Sequence, residues 1–195
     1  MSDPFFFGYG SLVNCATHDY EQAQAARISG WRRQWRHTSL REVAFLTVAE
    51  APGHAIDGLI AAVPGGDWAA LDIREKAYDR LHLPEETVEH NHPKKLSVQI
   101  YKTRTDNDAA PSVRHPVLLS YLDTVVKGYL DVFGETGVHD FFDTTDGWEA
   151  PIHDDRNAPI YPRHAHLCAD EIAFVNEKLH AVAANAKVNK PYRRW

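Results

Sequence analysis

The residues best suited to chemistry lie near the start of the chain, where Phe5-Phe6-Phe7 runs into Gly8-Tyr9-Gly10-Ser11-Leu12. Glycine tolerates positive φ angles and leaves its backbone N–H unshielded by a side chain. A strand that ends in Gly-x-Gly-Ser can therefore direct several N–H donors toward one point, where they suit a carboxylate or an oxyanion. The alternative is a tight turn after a core strand, and the motif alone leaves both interpretations open.

A second group with chemical potential is Glu75, on a helix that the sequence predicts from Asp67 onward. The apolar residues Trp68, Leu71 and Tyr78 form one stripe of this helix, and Glu75 falls on the same stripe. Burial there would raise the pKa of the carboxyl group, which favours general acid or base chemistry near neutral pH. The alternatives are an ion pair with a nearby arginine and a side chain that extends to solvent.

Short strands with one helix among them must position these groups. The strands predicted from the apolar patterns are Phe5–Tyr9, Arg27–His37, Val43–Ala49, Ile56–Val63 and Leu96–Lys102. Two of them, Val43–Ala49 and Ile56–Val63, are predicted to form a hairpin through the turn residues 51–54. The arginines in the strand Arg27–His37 leave open which of its faces is buried.

The second part of the chain has a different pattern. Helical spacing predicts a helix over Pro116–Phe133, a short helical segment at Val138–Phe142 and a final helix over Ala169–Ala186. Between them, Gly147–Arg163 contains three prolines and many turn formers. An irregular segment of this length is usually functional or wraps another part of the fold. Within this segment, Tyr161 is a candidate to line the pocket that would hold a ligand of the loop and Glu75.

Composition bounds the class of protein. The 195 residues are 44% apolar, which predicts one domain, with a core at about 5–130 and an extension at about 131–195. A formal net charge of −6 argues against a general nucleic-acid or anionic-membrane binder. The two cysteines imply no disulfide framework. Neither a signal-peptide pattern nor a long apolar run is present, so we expect a cytoplasmic protein without a membrane span.

Two segments together resemble the γ-glutamylcyclotransferases, and the resemblance is closest to the ChaC-like, glutathione-specific branch. Phe7-Gly8-Tyr9-Gly10-Ser11-Leu12 is similar to the family's Tyr-Gly-Ser-Leu-type loop. Leu71-Asp72-Ile73-Arg74-Glu75-Lys76 is similar to its Leu-Asp-x-Arg-Glu helix start, and Gly30-Trp31 is similar to its second strand. The resemblance covers about residues 5–102.

The resemblance implies an α+β fold, a small mixed β-barrel with flanking helices, here followed by a mostly helical C-terminal extension. It implies that the backbone of Tyr9, Gly10, Ser11 and Leu12 binds the head group of a γ-glutamyl substrate, chiefly its α-carboxylate. Glu75 would relay a proton from the α-ammonium, and the products would be 5-oxoproline and an amine, such as cysteinylglycine if glutathione is the substrate. It implies no metal, no organic cofactor and no partner beyond this small molecule.

Other patterns leave the substrate open and weaken competing functions. Val13-Asn14 replaces an Ile-Trp pair of the ChaC-like proteins, and Ala77-Tyr78 replaces a glycine pair before a tyrosine.

The twelve histidines include no His-Glu-x-x-His spacing, so we predict no metal site. Ser11 lacks the surroundings of a nucleophile elbow. The alternative function is a non-catalytic domain of the same fold that binds a small carboxylated ligand, and the oligomeric state stays open.

Overall fold

The computed structural model describes residues 3–38, 42–104 and 109–185. Within these residues the helices are α1 (Ala69–Arg74), α2 (Leu119–Asp143) and α3 (Ala169–Asn185). The strands are β1 (Phe5–Gly8), β2 (Gln24–Arg36), β3 (Phe45–Ala62), β4 (Tyr78–His82), β5 (Val88–His90), β6 (Val98–Thr103), β7 (Val117–Leu118), β8 (Thr145–Asp146) and β9 (Ile152–His153). None of the helices in this part of the chain is both long and apolar enough to cross a bilayer.

The main sheet has the order β4-β6-β1-β3-β2-β5, with β8 added beside β2. Strand β1 lies at its centre, antiparallel to β3 and parallel to β6, so the sheet is mixed. The sheet curls into a half-barrel, and apolar residues of α2 and α3 join its core. The predicted α+β architecture is therefore confirmed, with a half-barrel as the form of the sheet.

Strand β2 changes its buried face at Gly30. Before it, Ala26 and Ile28 are buried; after it, Arg33 and Trp35 are buried. Gly30 has a φ of +86°, and the register with β3 shifts between Ser29 and Trp31. Such an irregularity changes which side chains point inward. The simple alternation of buried and exposed side chains therefore fails at Gly30. The change of face places the Arg33 side chain in the core.

The predicted hairpin within residues 43–63 is wrong, because β3 runs through it as one strand paired with β2. The turn formers Pro52 and Gly53 are exposed, and residues 51–54 have no partner in the register with β2. Proline is tolerated in a strand where its missing N–H would bond to nothing. The turn-forming residues 51–54 therefore form an irregularity within β3, opposite Gly30, and do not end the strand.

The helix predicted from Asp67 to Tyr78 is shorter than expected. Helix α1 ends at Arg74, and Glu75 is its C-cap, with its N–H still bonded to the Leu71 carbonyl at 2.9 Å. Tyr78 already pairs with Thr103 of β6. Sheet pairing has overridden local helix propensity here, so Glu75 lies at the junction between a helix and a strand.

The C-terminal part is helical only in part. Helix α2 begins at Leu119, three residues later than predicted, because Val117–Leu118 form β7; it then covers the rest of both predicted helical segments and continues through Gly134, whose φ of +68° marks a kink. Helix α3 agrees with the predicted final helix, although Ala186 lies outside the described residues. The segment 147–168 between them is irregular apart from β9, which pairs with β7. The division into a core and an extension stays a prediction.

The buried carboxylate of Asp155 holds this irregular segment against the start of α2. It accepts hydrogen bonds from the Ser120 N–H at 2.8 Å and from the Ser120 hydroxyl at 2.5 Å. It also accepts the Ile160 N–H at 2.8 Å. The first N–H groups of a helix have no partner inside the helix, so a carboxylate from a distant loop stabilises this end.

We expect Asp155→Asn to lower the free energy of unfolding by about 2–4 kcal/mol, because an amide nitrogen would face donors in a buried site. Urea unfolding followed by circular dichroism measures this loss. The matched control is Asp154→Asn, since the half-buried Asp154 accepts one bond, from the Arg156 N–H at 3.3 Å. Equal losses in the two variants would contradict the prediction.

Candidate active site

A single cavity brings the loop after β1 together with Glu75. It contains about 310 Å³ of empty space, part of it open to solvent. All four predicted binding residues line it, as does the predicted catalytic carboxylate. The lining also includes aromatic residues from β4, β6 and α2: Tyr78, Tyr101 and Tyr121. The structure therefore brings these five predicted residues to one cavity, whereas Tyr161, the other candidate for the lining, is not among the lining residues.

The loop is a tight turn built on close backbone contact. A Cβ at Gly8 would lie 2.6 Å from the Cβ of Leu12, so only glycine permits this path. Ser11–Val13 form one turn of 3-10 helix, in which the Val13 N–H bonds to the Gly10 carbonyl at 3.0 Å. Among the described residues none accepts the N–H groups of Ser11 or Leu12. These donors are available to a ligand in the cavity.

Tyr9 contributes its backbone to the cavity while its side chain is buried in the core. Its hydroxyl donates to the Tyr101 carbonyl at 2.6 Å. Burial, followed by the charge of Glu75, raises the pKa of the Tyr9 hydroxyl well above its usual value. The phenol therefore stays neutral and acts as a support for the loop.

Glu75 is close to the loop and paired with its neighbour. The side chain is 16% exposed, and its Oε1 lies 3.2 Å from Nε of Arg74. A terminal nitrogen of Arg74 donates to the Ser11 hydroxyl at 3.2 Å. The ion pair weighed from the sequence is thus present, and the same arginine joins the carboxylate to the loop. The raised pKa expected for Glu75 stays a prediction.

The tyrosines of the wall are the part of the site that sequence reasoning missed. The Tyr78 hydroxyl donates to the Leu46 carbonyl at 2.8 Å, and the Tyr101 hydroxyl donates to Asp72 at 2.5 Å. Burial and the bond to Asp72 raise the pKa of Tyr101 far above its usual value. Tyr101 lies in the predicted strand Leu96–Lys102, where the alternation of side chains could have indicated that this tyrosine faces the site. No such pattern in the sequence indicated Tyr121.

Tyr161 lies behind the wall of the cavity. Its ring packs edge-on against Tyr121 with 5.0 Å between ring centroids, and Tyr121 itself lines the cavity. The segment 147–163 therefore reaches the site through one intervening side chain. Within the described ranges no cluster of histidine, cysteine or carboxylate side chains could hold a metal ion.

The backbone of Gly10 faces Tyr121 across the cavity, which gives a test of the space that the loop needs. A Cβ at Gly10 would lie 2.7 Å from the Tyr121 hydroxyl oxygen but 3.9 Å from the ring carbon that carries it. We expect Gly10→Ala to reduce ligand affinity about 10- to 100-fold, as a methyl group forced into a packed site does. Isothermal titration with a γ-glutamyl compound, the ligand class that the sequence resemblance implies, measures the loss.

The matched control removes the hydroxyl that the new methyl group meets. Tyr121→Phe should restore part of the affinity when it is combined with Gly10→Ala, because the ring carbon stays at an ordinary contact distance. If the double variant binds no better than Gly10→Ala alone, the loss has another origin.

Comparison with known proteins shows the fold. No protein-family model matches the sequence, and no curated protein matches it. A gamma-glutamyl cyclotransferase structure matches with a TM-score of 0.53 and 12% identity, over 90% of this chain and 99% of that one. An uncharacterized human protein matches with a TM-score of 0.56 and 14% identity, over 91% and 99%. YkqA from Bacillus subtilis matches with 0.53 and 16%, over 75% of this chain and 57% of YkqA.

These likenesses confirm the resemblance at the level of the fold, which is that of gamma-glutamyl cyclotransferase. At 12–16% identity they carry no information on the substrate. The closer similarity to the ChaC-like branch stays a prediction.

Proposed function

We propose that the protein is a γ-glutamylcyclotransferase-type enzyme, which converts a γ-glutamyl compound to 5-oxoproline and a free amine. The observation that carries this proposal is that the loop Tyr9–Leu12 and the carboxylate of Glu75 line one cavity. One side supplies backbone N–H donors, and the other supplies a carboxylate. A γ-glutamyl head group has a carboxylate and an ammonium on one carbon atom, so it complements both sides at once.

In this mechanism the loop binds the substrate's α-carboxylate, and Glu75 accepts a proton from the α-ammonium. The freed amine attacks the γ-carbonyl carbon and forms the new C–N bond of the five-membered ring. The bond from that carbon to the leaving nitrogen breaks as Glu75 returns this proton to the leaving nitrogen. The attacking nitrogen loses a second proton, which Glu75 passes to the released amine, so the amine departs as an ammonium ion and the ring nitrogen keeps one hydrogen. The reaction consumes no water and needs no oxidant, so atoms and charge balance within the substrate.

The surroundings of Glu75 suit a group that both accepts and returns a proton. Its side chain is mostly buried, and the buried tyrosines Tyr9 and Tyr101 lie close enough for its charge to raise the pKa of both hydroxyls. The neutral hydroxyls of Tyr9 and Tyr101 carry no positive charge, so they do not favour the ionised form of the Glu75 carboxyl group over its protonated form by charge attraction. Arg74 offers such a charge, at 3.2 Å.

The alternative is a non-catalytic domain that binds a small carboxylated ligand in the same loop. The pair between Arg74 and Glu75 favours it, because a carboxylate held by an arginine has a structural role without chemistry. The two functions make different products: a binder returns its ligand unchanged, and an enzyme releases 5-oxoproline.

Incubation with a substrate panel followed by mass spectrometry tests the proposal. The panel contains glutathione, which the resemblance to the ChaC-like branch implies, together with γ-glutamyl dipeptides and γ-glutamylamines, which share its γ-glutamyl head group. Formation of 5-oxoproline from any member supports the enzyme. Binding without turnover of every member supports the binder, and neither binding nor turnover overturns both.

A further inference from the structure

Arg33 is a charged side chain held in the core, only 1% exposed. Its guanidinium group donates hydrogen bonds to neutral oxygens: the Tyr9 carbonyl at 3.3 Å, the hydroxyls of Thr144 and Tyr129 at 2.6 Å each, and the Asp57 carbonyl. Neutral acceptors satisfy the donors but do not cancel the charge. The positive field of Arg33 therefore persists inside the protein, and the proposed reaction gives it no role.

This charge lies directly behind the binding loop. The Tyr9 carbonyl accepts a bond from Nε of Arg33, and it lies 3.1 Å from the Tyr129 hydroxyl, whose single proton is shared with the Asp57 carbonyl at 2.8 Å, so the Tyr9 carbonyl points into the core. In a trans peptide unit the C=O and the following N–H point in opposite directions. Holding the Tyr9 carbonyl inward therefore directs the Gly10 N–H outward, toward the cavity that Gly10 lines.

The fold brings Arg33 to this place through the irregularity at Gly30. Without the change of face there, β2 would bury Arg32 in place of Arg33. Arg32 instead points outward and pairs with the carboxylate of Asp146 at 2.7 Å. Two adjacent arginines thus have different surroundings: Arg32 is half-buried and paired with a carboxylate, and Arg33 is buried among neutral oxygens and the rings of Tyr129 and Phe141.

We infer that Arg33 is a positioning residue for the carboxylate-binding loop: it fixes the Tyr9–Gly10 peptide and places a positive charge behind the bound α-carboxylate. This inference rests on the proposed function. The Tyr9–Gly10 peptide unit lies between the guanidinium group and the cavity, and its dipole is aligned with the charges of Arg33 and of the bound α-carboxylate. The buried surroundings strengthen the attraction between these two charges. Arg33 itself does not touch the substrate.

The test compares two ligands that differ only in the α-carboxylate: γ-glutamylethylamide and N-ethyl-4-aminobutanamide. Their dissociation constants are measured by calorimetry on the Glu75→Gln variant, which keeps the ligands intact. The ratio of the two constants reports recognition of the carboxylate alone. A merely structural role for Arg33 would weaken both ligands together and leave this ratio unchanged.

We expect Arg33→Gln in the Glu75→Gln background to reduce the ratio about 10- to 100-fold, the range that one charge exerts across about 8 Å at an effective dielectric constant of about 20. Arg33→Lys keeps the charge and should restore part of the ratio. Arg32→Gln is the matched control, since it removes the neighbouring charge from the outer face, and the ratio should not change.

The outcomes separate this inference from the proposed function. If folded Arg33→Gln keeps the full ratio, Arg33 has no role in carboxylate recognition and the inference is overturned, while the proposed function stands. If Glu75→Gln with Arg33 intact shows no preference for the carboxylate, the binding role of the loop is overturned, and the inference falls with it.

A second measurement keeps the inference open to refutation if Arg33→Gln does not fold. In a ¹⁵N-labelled Glu75→Gln sample, γ-glutamylethylamide should shift the Gly10 amide proton downfield, and the ligand without the carboxylate should not. A Gly10 amide that responds equally to both ligands would show that this N–H is not aimed at the carboxylate, against the proposed role of Arg33.

Discussion

Replacing Glu75 with glutamine is expected to reduce formation of 5-oxoproline about 10²- to 10⁴-fold, the range by which a lost general acid–base residue slows its reaction. Glutamine matches the shape of the side chain but cannot carry the proton from the α-ammonium to the leaving amine. The amine nucleophile then stays protonated at neutral pH. Quantification of 5-oxoproline by mass spectrometry, with the best substrate of the panel, measures the loss.

Affinity and stability distinguish this chemical loss from damage to the fold. Arg74, which is paired with Glu75, keeps its bonds to Ser11 and Thr17 in the variant, so the loop should remain in place. We expect ligand binding to persist and the unfolding temperature to change little. Glu89→Gln, at an exposed position on β5, is the matched control and should turn over normally. Normal turnover by Glu75→Gln would remove this residue from the mechanism.

The sequence predicted the parts of the site that depend on short motifs. Gly8 and Gly10 indicated a loop with exposed donors, and close contacts at both positions explain why glycine is needed there. Glu75 stood out as a carboxylate on an apolar stripe, and it does lie at a mostly buried position in the cavity. The contact at Gly8 is local, because it is made with Leu12 of the same motif, whereas Gly10 approaches Tyr121 of α2, a contact that the motif alone does not contain.

The parts that the sequence did not predict depend on contacts between distant segments. The irregularity opposite Gly30 removes the predicted hairpin and reverses the face of β2, so the burial of Arg33 was not foreseeable from alternation. Helix α1 stops at Arg74 because β4 pairs with β6, a contact that helix propensity does not contain. Both errors have one cause: pairing across the sheet outweighs local preference.

The helix α2 touches the binding loop at Gly128, where the sequence shows only a glycine in a predicted helix. A Cβ at this position would lie 2.6 Å from the backbone nitrogen of Asn14 and 2.8 Å from the carbonyl carbon of Val13. The Asn14 side chain also donates to the Thr124 carbonyl at 3.0 Å, which holds the end of the loop on the helix. Backbone lies against backbone here, so neither side can rotate away.

Gly128→Ala therefore sets two effects of opposite sign against each other. Helix propensity alone predicts a gain in stability of about 1 kcal/mol for alanine over glycine. The close approach predicts the reverse, because the methyl group must push α2 away from the loop, and overpacking of this kind costs about 1–3 kcal/mol. We expect the second effect to prevail, with a net loss of about 1–2 kcal/mol in urea unfolding.

The displaced loop should also bind its ligand less well, which links packing at Gly128 to the function of the site. Thr136→Ala, at an exposed position of the same helix, tests propensity without the close approach; it should raise stability by about 0.5 kcal/mol and leave affinity unchanged. If Gly128→Ala is as stable as the unmodified protein, then α2 has room to move, and the position of the loop does not depend on this contact. A loss of stability together with affinity would instead mean that one glycine on a distant helix sets where the carboxylate-binding donors lie.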